Sequence, residues 1–183
     1  MMLEEKNIKL RGWKEEDETL YRFWNTGHHL WMNYDGPYYP KMTEKEVESS
    51  IRMFNNNSLP LKRMVIADKE TDELLGTVSW YWQSEESNWK SVGLAIYDEN
   101  NWSKGIGYNS LKLWINHLFT QDKKLTRLDL RTWSGNIGMV KLSQKLGFEE
   151  EARFRGACII DGKYYDSLAM GILREEWVLW LSS

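Results

Sequence analysis

The octapeptide Asn101-Trp-Ser-Lys-Gly-Ile-Gly-Tyr108 sets two glycines, one residue apart, on the boundary between a strand-like run and a helix-like run. Upstream, Ser91 to Tyr97 reads SVGLAIY, mostly apolar or small, and the acidic turn Asp98-Glu99-Asn100 follows it. Downstream, Leu111, Ile115 and Leu118 recur at helical spacing, which predicts one amphipathic helix from about 105 to 119. Glycine lets the chain turn sharply and lets a ligand approach the main chain closely. The first-turn N–H groups, which a helix leaves without internal partners, can then hold phosphate oxygens with help from the helix dipole. The same residues also suit a plain turn that caps a helix. Two better-known glycine signatures are excluded: position 110 is serine, so Gly-x-Gly-x-x-Gly is broken, and no Gly-Lys-Ser or Gly-Lys-Thr ending is present.

A second ordered segment follows. Leu128 and Leu130 alternate with charged neighbours across Leu125 to Arg131, as a strand should. Asn136 can cap the helix after it and Gly147 can end that helix, with Met139, Leu142 and Leu146 as its buried stripe. Ser143 stands four residues before Gly147, in the run that closes Leu146-Gly147-Phe148. In the tail, Ala157 to Ile160 and Tyr164 to Leu173 read as strands joined by the hairpin signal Asp161-Gly162.

Taken in order, these segments resemble the GCN5-related N-acetyltransferases (GNAT family). The glycine loop is similar to that family's coenzyme A pyrophosphate loop, whose pattern of Arg or Gln, two residues, Gly, one residue, Gly or Ala falls on Trp102, Gly105 and Gly107. Tryptophan departs from the first position, although Asn101-Trp102 before Ser-Lys-Gly resembles the RimJ/RimL-like branch that acetylates ribosomal-protein α-amines. The tail from Arg155-Gly156 through Asp166, with Met170 to Trp177, resembles the closing strands of the same branch, and the likeness runs from roughly Ile8 to Trp177. The resemblance implies an α/β (α+β) acyl-CoA N-acyltransferase fold, a central mixed β-sheet flanked by helices on both faces, and acetyl-CoA as co-substrate. It implies a coenzyme cradle of Trp102, Ser103, Lys104, Gly105, Ile106, Gly107 and Tyr108, with Leu94, Ala95 and Ile96 offering main-chain N–H groups to the thioester oxygen. Asn136 and Met139 fall on the helix that borders the pantetheine arm, Met139 in place of the usual alanine. Ser143 falls where the wider family carries a tyrosine that protonates the leaving thiolate.

The implied reaction is direct attack by a primary amine on the thioester within a ternary complex, the amine being the N-terminal α-amine of a protein, possible targets including ribosomal proteins. A polyamine, an aminoglycoside or another small amine is the alternative acceptor, and a noncatalytic acyl-CoA sensor is a third reading motivated by the departures at Trp102, Met139 and Ser143. A base, a carboxylate side chain or an ordered water, must take the amine's proton. Glu85 and Glu86, in the turn between two strands, are candidates, with Asp129 on the charged face of its strand as another; exposed glutamates in a turn are otherwise ordinary solvated residues. His28 and His29 have no identifiable orienting partner in the sequence. Trp31, Tyr34, Tyr38 and Tyr39 could line an acceptor wall or simply pack locally.

The remaining sequence fits one N-acetyltransferase domain over 1–183. Leu10 to Phe23 contains a charged helical stretch, and Thr43 with Glu46 forms a capping box for a helix running toward Phe54. Asn55 to Ser58 reads as a loop, and strands are expected at Arg63 to Ala67, Leu74 to Gln83 and Lys90 to Tyr97. A net charge of −3 argues against nonspecific nucleic-acid binding. No apolar run is long enough to span a bilayer, so no membrane partner and a cytoplasmic location are expected. Cys158, the single cysteine, reads as a buried strand thiol, and no Cys, His and acid cluster has metal-site spacing. Eleven tryptophans supply packing and interface area, and a homodimer through the late strands is expected.

Overall fold

The computed structural model describes residues 2–55 and 62–182. Its strands are β1 (Met2–Glu5), β2 (Ile8–Arg11), β3 (Arg63–Asp68), β4 (Leu74–Ser84), β5 (Trp89–Ile96), β6 (Arg127–Trp133), β7 (Glu149–Ile160) and β8 (Lys163–Leu173). The α-helices are α1 (Asp17–Asn25), α2 (Glu44–Asn55), α3 (Ile106–Gln121), α4 (Ile137–Lys145) and α5 (Arg174–Ser182). The strands hydrogen-bond in the order β1-β2-β3-β4-β5-β6-β8-β7. The sheet is mixed, as expected, because β5 and β6 run parallel while β6–β8 and β7–β8 are antiparallel. The loop expected at Asn55–Ser58 lies, from Asn56 on, outside the described residues.

Backbone contacts divide the chain into two compact units, Met1–Ser79 with Leu94–Leu113 and Trp80–Gly93 with Trp114–Ser183. In the first unit, β1 to β3 form an antiparallel meander, and the core gathers Tyr21, Trp31, Val47, Ile51, Val65, Ala67, Leu74 and Tyr97. The capping box on α2 forms as read: Thr43 N donates to Glu46 Oε2 at 2.7 Å, and Glu46 N to Thr43 Oγ1 at 3.3 Å. The stretch from Leu10 is only partly helical, since Ile8–Arg11 is a strand and α1 starts at Asp17. Burial explains this. Arg11, 5 % exposed, makes a two-pronged ion pair with Asp17 at 2.7 and 2.8 Å, and its Nε donates to Asp72 Oδ1 at 2.7 Å, tying β2 to the start of α1 and to the turn after β3.

In the second unit, β6 is central, paired with β5 over Trp89–Ser91 and Arg127–Asp129 and with β8 along its whole length. Lys90 is buried without cost to an unpaired charge: its Nζ sits 4.5 Å from the ring centres of Trp80 and of Trp82 and 2.8 Å from Asp122 Oδ2. The end of α3 and the turn after it are held by Arg174, whose guanidinium donates to the carbonyls of Phe119, Asp122 and Leu125 at 2.7, 2.5 and 2.8 Å. The hairpin at Asp161-Gly162 forms with φ of 50° and 74°, the handedness of a type I′ turn. β7 begins at Glu149, eight residues before the expected Ala157. Its charged first half sits on the last strand of the sheet order, where exposed charged side chains are tolerated and protective. Cys158 is buried in this strand, as expected.

Candidate active site

In the first unit the end of β5 and the glycine loop are built together. Asp98 Oδ1 accepts from Asn100 N at 2.8 Å and sets the turn Glu99–Asn101, after which Trp102 N donates to Glu99 O at 3.0 Å. The indole Nε1 of Trp102 then donates to Ile96 O at 3.0 Å, pinning the loop to the last residue of β5. Ser103 and Gly105 take φ of 59° and 81°, and this left-handed geometry turns the chain into α3. The first i→i−4 bond of α3 runs from Asn109 N to Gly105 O at 2.9 Å. The peptide N–H groups of Ile106 and Gly107 precede it, so the helix itself gives them no acceptor. Lys104 is exposed at the loop tip. This turn has the polarity of an anion site: donors and the positive end of a 16-residue helix at one point.

The peptides of Leu94, Ala95 and Ile96 have a distinctive setting. A Cβ on Gly76 of β4 would lie 2.0 Å from Ala95 O, so only glycine lets β4 pass this close to β5. Tyr97 N donates to Leu75 O at 3.0 Å just beyond. Of the aromatic group, Trp31 is a core residue, with its ring 5.0 Å from Tyr97 and its Nε1 donating to Trp24 O at 2.9 Å. Tyr34 is partly exposed and meets Trp102 edge-on at 5.4 Å, and Tyr38 and Tyr39 lie 4.7 Å apart. Next to Tyr34 stands Asp35, which the sequence reading passed over. The residue keeps solvent access, yet protein crowding its carboxyl pushes that group above the ordinary aspartate range, with the Arg63 charge opposing. The histidines do have partners: His29 Nε2 lies 2.7 Å from Phe23 O, and His28 Nδ1 lies 2.8 Å from Lys41 Nζ. A sequence cannot show such contacts across a turn.

In the second unit, Asn136 caps α4 as read, its Oδ1 accepting from Met139 N at 3.0 Å, and Gly147, at φ 85°, ends the helix. Met139 and Leu142 are half-buried and Leu146 is buried. Ser143 is fully buried, and its hydroxyl donates to Val140 O at 2.9 Å, so protonating a thiolate requires that hydroxyl to rotate away from the helix. Glu85 and Glu86 are exposed in the β4–β5 turn, where Glu86 Oε2 accepts from the Ser84 hydroxyl at 3.2 Å. Asp129, expected on the charged face of its strand, lies inside the protein. It is fully buried, Ser91 Oγ donates to its Oδ1, and Arg131 Nη2 lies 3.2 Å from its Oδ2. Burial pushes its carboxyl up, with the Ser91 hydrogen bond and the arginines opposing. The strand alternates in sequence, yet of its polar positions Asp129 is buried, Arg127 half-buried and Arg131 exposed, so the alternation does not sort them into one solvent face. Among the described residues no group of three or more His, Cys, Asp or Glu is arranged to hold a metal ion, and no helix is long and apolar enough to cross a membrane.

Comparison with known proteins bears on the family and the fold. The chain is 26% identical over 179 residues to the uncharacterized N-acetyltransferase p20 of Bacillus licheniformis, covering 97% of this chain and 92% of that one. The fold is that of spermidine N-acetyltransferase from Vibrio cholerae, solved in complex with CoA and spermine (TM-score 0.77, 20% identity, 94% of this chain and 98% of that one). It is equally that of the ribosomal-protein-S5-alanine acetyltransferase from Vibrio fischeri (TM-score 0.73, 21% identity, 97% and 98%). Residues 7–149, which carry the glycine loop, β5, β6 and α4, match the family described as the acetyltransferase (GNAT) domain, and the chain belongs to that family.

Proposed function

We propose that this acetyltransferase moves acetyl from acetyl-CoA to a primary amine by direct attack in a ternary complex, with both units forming one N-acetyltransferase domain. The observation that carries the reading is the Trp102–Tyr108 loop, whose Gly105 turn delivers the N–H groups of Ile106 and Gly107 at the start of α3. In this account the loop and Lys104 hold the coenzyme's pyrophosphate, and a peptide N–H of Leu94, Ala95 or Ile96 holds the thioester oxygen as charge develops there. Asn136 and Met139 of α4 serve the pantetheine arm. The Ser143 hydroxyl, once released from Val140 O, protonates the leaving thiolate. Glu85 or Glu86 takes the proton from the ammonium through water; both are exposed, as that exchange needs. Asp129 is too deeply buried to meet an acceptor.

The acceptor reaches the protein as a cation, and the acidic Asp35 beside Tyr34 suits one. The resemblance of the loop and tail to the ribosomal branch favours a protein N-terminus. A panel measuring coenzyme A release with N-terminal peptides, polyamines and aminoglycosides tests this. Turnover with peptides above the other amines supports the reading. Turnover confined to polyamines or aminoglycosides overturns the protein-terminus assignment but keeps the transferase, and acetyl-CoA binding without turnover on any amine identifies a sensor.

A further inference from the structure

We propose that Trp102 is a positioning residue that couples the coenzyme loop to the acceptor wall. The inference rests on the reading of Trp102–Tyr108 as the coenzyme loop and of the Tyr34 region as acceptor wall. At this position the family pattern has an arginine or glutamine, and Trp102 replaces that polar group with an indole used inside the protein. Its Nε1 donates to Ile96 O at 3.0 Å, and its ring meets the Tyr34 ring edge-on at 5.4 Å with an interplanar angle of 85°. One half-buried side chain therefore touches three parts of the proposed machinery: the loop that carries it, the end of β5 and the connection between α1 and α2.

That connection is firmly built around the contact. Tyr34 N and Asp35 N both donate to Trp31 O, at 3.0 and 3.2 Å, while Trp31 packs on Tyr97, one residue beyond Ile96. Tyr39 N donates to Gly36 O at 2.8 Å, which folds the chain back after Gly36 in its left-handed conformation. A shift of the Trp102 ring on coenzyme binding thus moves Tyr34, and with it Asp35. By reciprocity of binding free energies, the factor by which coenzyme binding changes acceptor affinity is the factor by which acceptor binding changes coenzyme affinity. Contact between the rings makes the two residues energetically non-additive.

The test is a double-mutant cycle in acetyl-CoA affinity, measured by calorimetry on folded protein. Tyr34→Ala is expected to weaken acetyl-CoA binding about fivefold, although it stands far from the loop in sequence, and to change nothing further in a Trp102→Ala background. Trp102→Phe keeps a smaller ring and removes the donation to Ile96 O, so it remains informative where Trp102→Ala fails to fold. It is expected to raise KM for the acceptor while leaving the thermal midpoint within a few degrees of the parent, a split that a merely structural role would not give. Additive effects of Tyr34→Ala and the Trp102 variants overturn the coupling. Gly107→Val run beside them separates the two levels: if it removes coenzyme binding while the cycle is additive, only the coupling is wrong. If it leaves affinity unchanged, the coenzyme-loop reading and the coupling fall together.

Discussion

Gly105 and Gly107 look equivalent in sequence, but the backbone assigns them different work. Gly105 holds a φ of 81° with no atom closer than 3.9 Å to an added Cβ, so its requirement is conformational. Gly105→Ala is expected to cost about 1–2 kcal/mol from the left-handed penalty alone. Gly107 lies in the first turn of α3, where alanine is the better helix former, so Gly107→Ala is expected to hold or raise stability by up to about 1 kcal/mol. Urea unfolding of the two variants checks the contrast. Ser143→Ala is expected to keep coenzyme affinity and lower kcat by about 100-fold, the low end of what a positioned proton donor contributes. An unchanged kcat in steady-state assays would leave Ser143 as a helix residue bonded to Val140 O. At this scale the sequence showed where glycine, cap and hydroxyl stand, but not what they bond. Asp129 is the clearest case: it stands on the charged face of an alternating strand, and only the folded chain shows it buried against Ser91 and Arg131.

Among elements, the close passage of β4 and β5 at Gly76 fixes the course of Leu94–Ile96. Gly76→Ala forces a methyl into Ala95 O and is expected to cost about 1–3 kcal/mol, the usual range for overpacking, with turnover falling as β5 shifts. Denaturant midpoints and kcat measured together check it. The corner joining β2, α1 and the β3–β4 turn carries a pH signature. Lys14 chiefly, then Lys9 and Arg11, hold the Asp72 carboxyl well below the usual aspartate range against opposing desolvation. A depressed folded pKa stabilises the protein above the unfolded value of about 3.9, and that contribution is lost as pH falls through the folded value. Asp72→Asn, which suits the left-handed φ of 63°, is therefore expected to destabilise at pH 6 and to approach the parent as pH drops below about 4. Equal separation of the urea midpoints at pH 6 and pH 3 would contradict it. The strands β1 and β2 escaped the sequence reading because each has only four residues, too few for period-two alternation to stand out. The helix α5 escaped because the charged residues after Met170 were read as the end of a strand.

Across the whole molecule, the order of elements from Ser91 onward was legible, since each carries its own punctuation: glycine turn, Asn cap, Leu-Gly-Phe ending and Asp-Gly hairpin. What was not legible are the acceptor-side details, because Asp35, Tyr34 and Trp102 become neighbours only through folding of the α1–α2 connection. The late strands present Ile159 opposite Tyr164, 54 % and 72 % exposed, on the outermost hairpin of the sheet order. A homodimer through this hairpin is expected, and light scattering at assay concentration should give twice the 21.8 kDa chain mass, a monomer mass being the contrary result. The central claim is that the glycine loop at the head of α3 holds the phosphates of coenzyme A. Calorimetric titration of coenzyme A and acetyl-CoA into the parent and into folded Gly107→Val tests it most directly. Both ligands are expected to bind the parent with similar affinity, since their phosphates are identical, and both to lose at least about tenfold in the variant. Unchanged affinity for both ligands in Gly107→Val would contradict it.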